Sequence, residues 1–167
     1  MKSLKDLEEL AGLAGDPGVI ERLEVYLGKL RELLSSPKLA FSPEAPVPSK
    51  PGVYIVWRGR EVIYVGSSSD LRRRILGDHL QGNVRGSRLR RALSWDLGLA
   101  DPAEGKARLS REQEEKISGH LRERCALQFI VEEDERRRAM LEHFAIALLS
   151  PRLVSPMELP GAGRQIK

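Results

Sequence analysis

Two short runs of β-branched and aromatic residues constrain this chain more than any other feature. Val53-Tyr54-Ile55-Val56-Trp57 and Val62-Ile63-Tyr64-Val65 have strand composition, and only Arg58-Gly59-Arg60-Glu61 lies between them. A turn that short joins the two runs as an antiparallel hairpin. Prolines at 37, 43, 46, 48 and 51 stand before the hairpin, so its approach is an extended connector and not a helix. A third run, Ala126-Leu127-Gln128-Phe129-Ile130-Val131, supplies one more strand much later in the chain.

The other segments have helical signals. Leu4, Leu7, Leu10, Ala11 and Ala14 recur at helical spacing, and Gly15-Asp16-Pro17 stops that helix and starts another, with Asp16 as cap and Pro17 in the first turn. The second helix has one apolar stripe through Val19, Ile20, Leu23, Tyr26, Leu27, Leu30, Leu33 and Leu34. After the hairpin, Ser69-Asp70 caps a helix through Leu71, Ile75 and Leu76 to about His79, and Ser87 caps one containing Leu89, Ala92, Leu93 and Leu97. Ser110 and Gln113 have the spacing of a capping box for a charged helix, and a last helix runs from Asp134 to before Pro151. The expected fold is α+β: a small three-stranded antiparallel sheet flanked by helices, preceded by an N-terminal helical hairpin. The expected boundaries are 1–36 for the helical hairpin, 37–50 for the connector, 51–154 for the sheet-containing domain and 155–167 for a C-terminal tail. Residues 98–109, with Gly98, Asp101-Pro102 and Gly105, have the composition of an insertion.

Composition narrows the setting. One cysteine, Cys125, cannot form an internal disulfide, and with three scattered histidines it cannot build a zinc site. The longest apolar run, Phe144 to Leu149, is far too short to span a bilayer, and the N-terminal residues include acids where a signal peptide needs an apolar core. The expected location is the cytoplasm, without membrane contact. The formal charge of +4 is unevenly placed. Residues 51–93 hold nine arginines against Glu61, Asp70 and Asp78, a local excess of +6, while each flanking segment is slightly acidic. Such a window is either a solvated helix face or a polyanion-binding surface, since guanidinium groups pair bidentately with phosphate.

Glu142 stands apart on its helix. Ala139, Ala145, Ile146 and Leu149 lie on the same side, and a carboxylate in an apolar column needs a cation or an ion-pair partner. Arg138, four residues earlier, is the plain partner; a hard divalent cation held by one carboxylate, water and substrate oxygens is the functional one. His143 faces elsewhere. Along the first strand, Tyr54 and Val56 share a face opposite Val53 and Ile55; whether Tyr64 joins Tyr54 depends on a register that composition does not reveal.

Gly52-Val53-Tyr54 followed by Tyr64-Val65-Gly66 resembles the paired signature of the GIY-YIG nuclease family. The similarity continues through Ser67-Ser68-Ser69-Asp70-Leu71-Arg72-Arg73-Arg74, Leu141-Glu142-His143-Phe144-Ala145-Ile146 and Ser150-Pro151-Arg152-Leu153-Val154, covering roughly residues 51–154. The resemblance implies a proton-transfer role for Tyr54 supported by Tyr64, and a metal-binding role for Glu142. Through the family's spacing from Gly66, the resemblance also implies that Arg74 is the arginine that holds the scissile phosphate. Gly52 and Gly66 are expected as structural turn residues. His79 stands one residue later than the histidine of many family members, so either it joins the catalytic set or it caps its helix. Val154 replaces an asparagine that is frequent in the family.

The expected activity is therefore metal-dependent hydrolysis of DNA phosphodiester bonds, with Mg2+ as cofactor and Mn2+ as substitute. Arg72, Arg85, Arg88, Arg90 and Arg91 are the expected nucleic-acid contacts. Two alternatives stand beside it: a nuclease-like module that binds nucleic acid without cutting it, and a repair or structure-specific nuclease subunit targeted by a partner. The N-terminal hairpin is the expected surface for a homodimer or protein partner.

Overall fold

The computed structural model describes residues 4–104 and 108–154; the expected tail 155–167 and Gly105 lie outside them. Helices α1 (Leu4–Leu13) and α2 (Gly18–Ser35) form the N-terminal hairpin. Gly15 turns the chain at φ 62°, and Asp16 Oδ1 accepts the Gly18 N–H at 2.9 Å, satisfying an N-terminal donor of α2. None of the described helices is long and apolar enough to cross a membrane.

Four strands, β1 (Leu39–Ala40), β2 (Gly52–Arg58), β3 (Glu61–Ser68) and β4 (Cys125–Val131), form one antiparallel sheet in the order β1-β4-β2-β3. The sequence predicts three of these. The fourth, β1, is two residues of the connector pairing Leu39 with Leu127 and Ala40 with Ala126. It covers part of an otherwise unpaired edge of β4, and a strand that short leaves no alternation to read.

Between the strands and around them lie a π-helix (Arg73–Gln81), α3 (Arg88–Asp96), α4 (Arg111–Arg124) and α5 (Glu135–Leu149). The predicted caps at Ser87 and Ser110 are in place, and Asp134, where the last helix is expected to start, caps α5. Ser87 accepts the Arg90 N–H, Ser110 and Gln113 make a reciprocal capping box, and Asp134 accepts the Arg137 N–H. The sheet separates two apolar layers. Tyr54, Val56, Tyr64 and Leu127 pack with Ile75, Leu89 and Ile117 from the π-helix, α3 and α4. Val53, Ile55, Val65 and Ile130 pack with Leu30 and Leu33 of α2 and Leu141 and Ala145 of α5. The apolar stripe of α2 is thus partly core.

A bulge in the hairpin decides which layer Tyr64 enters. The register shifts so that Trp57 faces Val62 while Val56 faces Tyr64, leaving Ile63 as the extra residue. Without it, Tyr64 would oppose Ile55 and point into the other layer, because a one-residue slip exchanges the faces of a strand. The segment after α5 braces this irregularity: the Arg152 and Leu153 N–H groups donate to the Val62 and Ile63 carbonyls at 3.3 and 2.8 Å.

Candidate active site

The site begins at the β2–β3 pair. Tyr54 sits directly across from Gly66, and its ring lies where a larger residue would place its side chain. A Cβ built at Gly66 falls 2.5 Å from the Tyr54 hydroxyl and 2.9 Å from Cε1 of Tyr64. Gly52, opposite Ser68 and Val131, has the same constraint, with a built Cβ 2.2 Å from the Ile130 carbonyl oxygen. The expectation of Gly52 and Gly66 as turn residues is therefore corrected: both lie in strands, and both are needed because neighbouring atoms fill the space of a side chain.

Tyr54 and Tyr64 share a face, their ring centroids 6.3 Å apart, with the His79 ring 5.5 and 6.1 Å from them. The Tyr54 hydroxyl is 2.6 Å from Nε2 of His79, and Nδ1 of His79 is 2.7 Å from Ser87 Oγ. His79 is 1% exposed, stands in the last turn of its helix and lines the cleft with Tyr54 and Tyr64. Burial, reinforced by the cationic Arg74 and Arg90, pulls its pKa from 6.5 to about 3 and keeps the imidazole neutral. Burial, with Tyr64 beside it, pushes the Tyr54 phenol well above its ordinary value, although Arg74 opposes the shift.

The π-helix explains how His79 arrives there. In an α-helix a residue five positions after Arg74 would point well away from it. Hydrogen bonds of the i→i+5 type widen the turn and return His79 to the side of Arg74. Arg74 is held by Asp78 at 3.0 Å, with about a third of its side chain exposed toward the cleft.

Glu142 comes from the opposite layer. Helix α5 packs along β3, the edge strand, and the Ser67 hydroxyl donates to Glu142 Oε2. Arg138 is committed elsewhere, donating to the carbonyls of Glu132 and Glu133, so it is not the partner of Glu142. His143 is exposed and outside the cleft, as expected.

Tyr54, Tyr64, Arg74, His79 and Glu142 therefore meet in one cleft of about 440 Å³, together with Arg85, Arg88 and Arg91. Two other arginines do not reach it. Arg90 is fully buried: its guanidinium binds Glu114 Oε2 at 2.7 Å, the Glu114 carbonyl at 2.6 Å, the His79 carbonyl at 2.8 Å and Ser118 Oγ at 3.0 Å. Its expected role as a phosphate contact is corrected, because no surface remains for a ligand to touch. Arg72 is exposed but lines a separate groove, with Nη1 directed to the Val47 carbonyl at 3.3 Å, and is likewise removed from the cleft. Val154 does not line the cleft.

Two functional partners escaped the sequence reading. Ser67, beside Gly66 on the edge strand, orients Glu142; its signal was a hydroxyl next to the glycine that makes room for Tyr54. Ser87 was legible only as a helix cap, yet the same oxygen that accepts the Arg90 N–H also holds His79.

The donor set suits one kind of metal. Among the described residues no three His, Cys, Asp or Glu side chains gather into a cage. Among the described residues Glu142 is the only carboxylate lining the cleft, and His79 already has both ring nitrogens engaged. One carboxylate with room for water and phosphate oxygens fits an Mg2+-like ion, not a four-ligand zinc centre.

A family model described as the GIY-YIG catalytic domain matches residues 43–153. No curated protein matches. Among solved structures, the N-terminal GIY-YIG endonuclease domain of UvrC from Thermotoga maritima is similar. A point mutant bound to its catalytic divalent cation is 23% identical, covering 66% of this chain and 88% of that one with a TM-score of 0.37. The magnesium-bound form is 24% identical, covering 66% and 89% with a TM-score of 0.36. The matched stretch contains every residue that converges on the cleft, from Tyr54 to Glu142, and the chain belongs to the GIY-YIG nuclease family.

Proposed function

We propose that the protein is a divalent-cation-dependent endonuclease that hydrolyses DNA phosphodiester bonds. The observation that carries this reading is the convergence of two tyrosines, a neutral histidine, a tethered arginine and a single carboxylate in one arginine-rimmed cleft.

Each side chain has a definable task. Arg74, fixed by Asp78, pairs with the scissile phosphate and offsets the charge that develops on its oxygens. Arg85, Arg88 and Arg91 hold the flanking backbone. The protonated Tyr54 phenol donates to Nε2 of His79, so the imidazole proton sits on Nδ1, where Ser87 accepts it. The Tyr54 oxygen, its own proton directed to Nε2, offers its lone pairs to orient the water that attacks in line with the leaving oxygen, and the proton released from that water leaves with solvent. Tyr64 closes the apolar side of the phenol and keeps bulk water from it. Glu142, oriented by Ser67, would hold Mg2+ or Mn2+. When bound there, the ion stabilises the negative charge of the leaving oxygen.

The test is a cleavage panel of supercoiled, branched and single-stranded DNA, in Mg2+ or Mn2+, with wild type and Glu142→Ala. Wild type is expected to cut in a metal-dependent manner; the variant is expected to bind DNA and lose at least about 100-fold in rate, the scale of one electrostatic element of a site. Salt-sensitive binding with no cutting on any substrate would replace the enzyme by a binding module.

A further inference from the structure

Beside the cleft lies a second groove, of about 450 Å³, that shares Arg85 with it and adds Arg108 and Arg111. We propose that this groove is a second phosphate-binding site, which carries the DNA backbone away from the scissile phosphate across the 82–87 loop. The proposal rests on the nuclease reading above and extends it to residues outside the basic window of the sequence.

Charge is the first argument. Arg85, Arg108 and Arg111 are exposed and have no carboxylate partner among the described residues, whereas Arg22, Arg58, Arg74, Arg90 and Arg122 all have one. Among the described residues the one carboxylate that lines the groove, Glu114, is neutralised from behind. Its Oε2 binds the buried guanidinium of Arg90 at 2.7 Å, and its Oε1 accepts the Val84 N–H at 3.0 Å. Glu114 therefore anchors the loop and does not compete for the three arginines. Guanidinium forks without an acidic partner, arranged along one concave path, are suited to successive phosphodiester oxygens.

Rigidity is the second. Asn83 Oδ1 accepts the N–H groups of Arg85 and Gly86 at 3.0 and 3.2 Å, which fixes the backbone carrying Arg85. On the other wall, half-buried Leu109 packs against the core between Arg108 and Ser110, and the Ser110–Gln113 capping box fixes the first turn of α4 carrying Arg111. The arginines thus project from anchored backbone on both walls, and less ordering is lost when a strand binds. The continuity through Arg85 sets the direction of the path: from Glu142 and Arg74, past Arg85, to Arg108 and Arg111.

The experiment measures the salt dependence of duplex DNA binding by fluorescence anisotropy. Glu142→Ala protein serves as the parent, so that binding is read without turnover. Arg108→Ala/Arg111→Ala is compared with Arg31→Ala/Arg136→Ala, which removes equal charge from α2 and α5 on the other side of the sheet. Loss of two phosphate contacts is expected to make the slope of log K against log salt shallower by about 1.8, at about 0.9 per contact. The charge-matched control and Arg108→Lys/Arg111→Lys are expected to keep the parent slope. With Glu142 intact, the alanine pair is expected to raise KM and leave kcat unchanged on saturating DNA. A parent slope in the alanine pair, or an equal loss in the control, overturns the groove while leaving the nuclease reading intact. A parent protein with no salt-dependent DNA binding overturns both.

Discussion

At the scale of single residues, the site depends on atoms that leave no room for variation. Gly66 gives its side-chain space to the Tyr54 phenol, so Gly66→Ala must displace either the tyrosine or β3. We expect a stability loss of about 1–3 kcal/mol, the range for overpacking, and a larger proportional loss of cleavage, measured by urea unfolding and by initial rates. Retained activity would show that Tyr54 need not sit where it does. His79 supports a second prediction with a defined sign. Its folded pKa, about 3, lies below the unfolded value of 6.5, so the unfolded chain takes up a proton first as pH falls. The stability that the neutral histidine contributes is fully present above pH 6.5 and declines as pH drops toward 3. Between pH 6 and 4.5 wild type should lose stability at a slope approaching about 1.4 kcal/mol per pH unit more steeply than His79→Asn. His120, also held low by burial, is common to both proteins and cancels in that difference.

At the scale of elements, the site is assembled by departures from regular geometry. The bulge at Ile63 turns Tyr64 toward Tyr54, and the π-helix turns His79 toward Arg74. Local chemistry made the hairpin, the caps at Ser87 and Ser110, the start of the last helix at Asp134, and the opposite faces of Tyr54 and Val53 legible in the sequence. It could not reveal the bulge or the π-helix, because each is one residue added to a pattern and its cost or benefit is decided by the layer packed against it. Arg90 is the sharper case. Sitting beside Leu89 in an arginine-rich helix, it resembles its exposed neighbours, and only Glu114, far along the chain, makes its burial tolerable. That pair joins the π-helix, α3, α4 and the 82–87 loop, through the carbonyls of His79 and Leu80 and the Val84 N–H. Arg90→Met leaves Glu114 without its counter-charge and should cost about 3–5 kcal/mol in urea unfolding, the range for breaking a buried pair from one side. Glu114→Gln, which keeps hydrogen-bonding capacity, should cost less.

At the scale of the whole molecule, the N-terminal hairpin and the matched catalytic domain are not independent layers. The family model begins at residue 43, yet Leu30 and Leu33 of α2 are buried against Val53, Ile55 and Leu141. Polar contacts make the same connection. Gln128, 2% exposed in the middle of β4, accepts the Trp57 indole N–H at 2.8 Å and donates its amide to the carbonyls of Leu34 and Ser36 at the end of α2. Lys29 of α2 also pairs at 2.9 Å with the buried Glu132, which helps hold that carboxyl below its usual range. A chain beginning at Pro37 would therefore lose two buried leucines, the partners of a buried amide and the counter-ion of a buried acid. The leucines alone are worth about 1.5–3 kcal/mol each, and an unsatisfied buried amide adds about 1–3 kcal/mol. Losses of that size rival the entire stability of an ordinary domain, so the shortened chain is expected to lose its cooperative unfolding transition. Glu142 shares its helix with Leu141 and Ala145, which α2 covers, so DNA cleavage should disappear with the transition. A shortened chain that unfolds cooperatively at the wild-type urea midpoint would show instead that the sheet and α5 hold the carboxylate unaided.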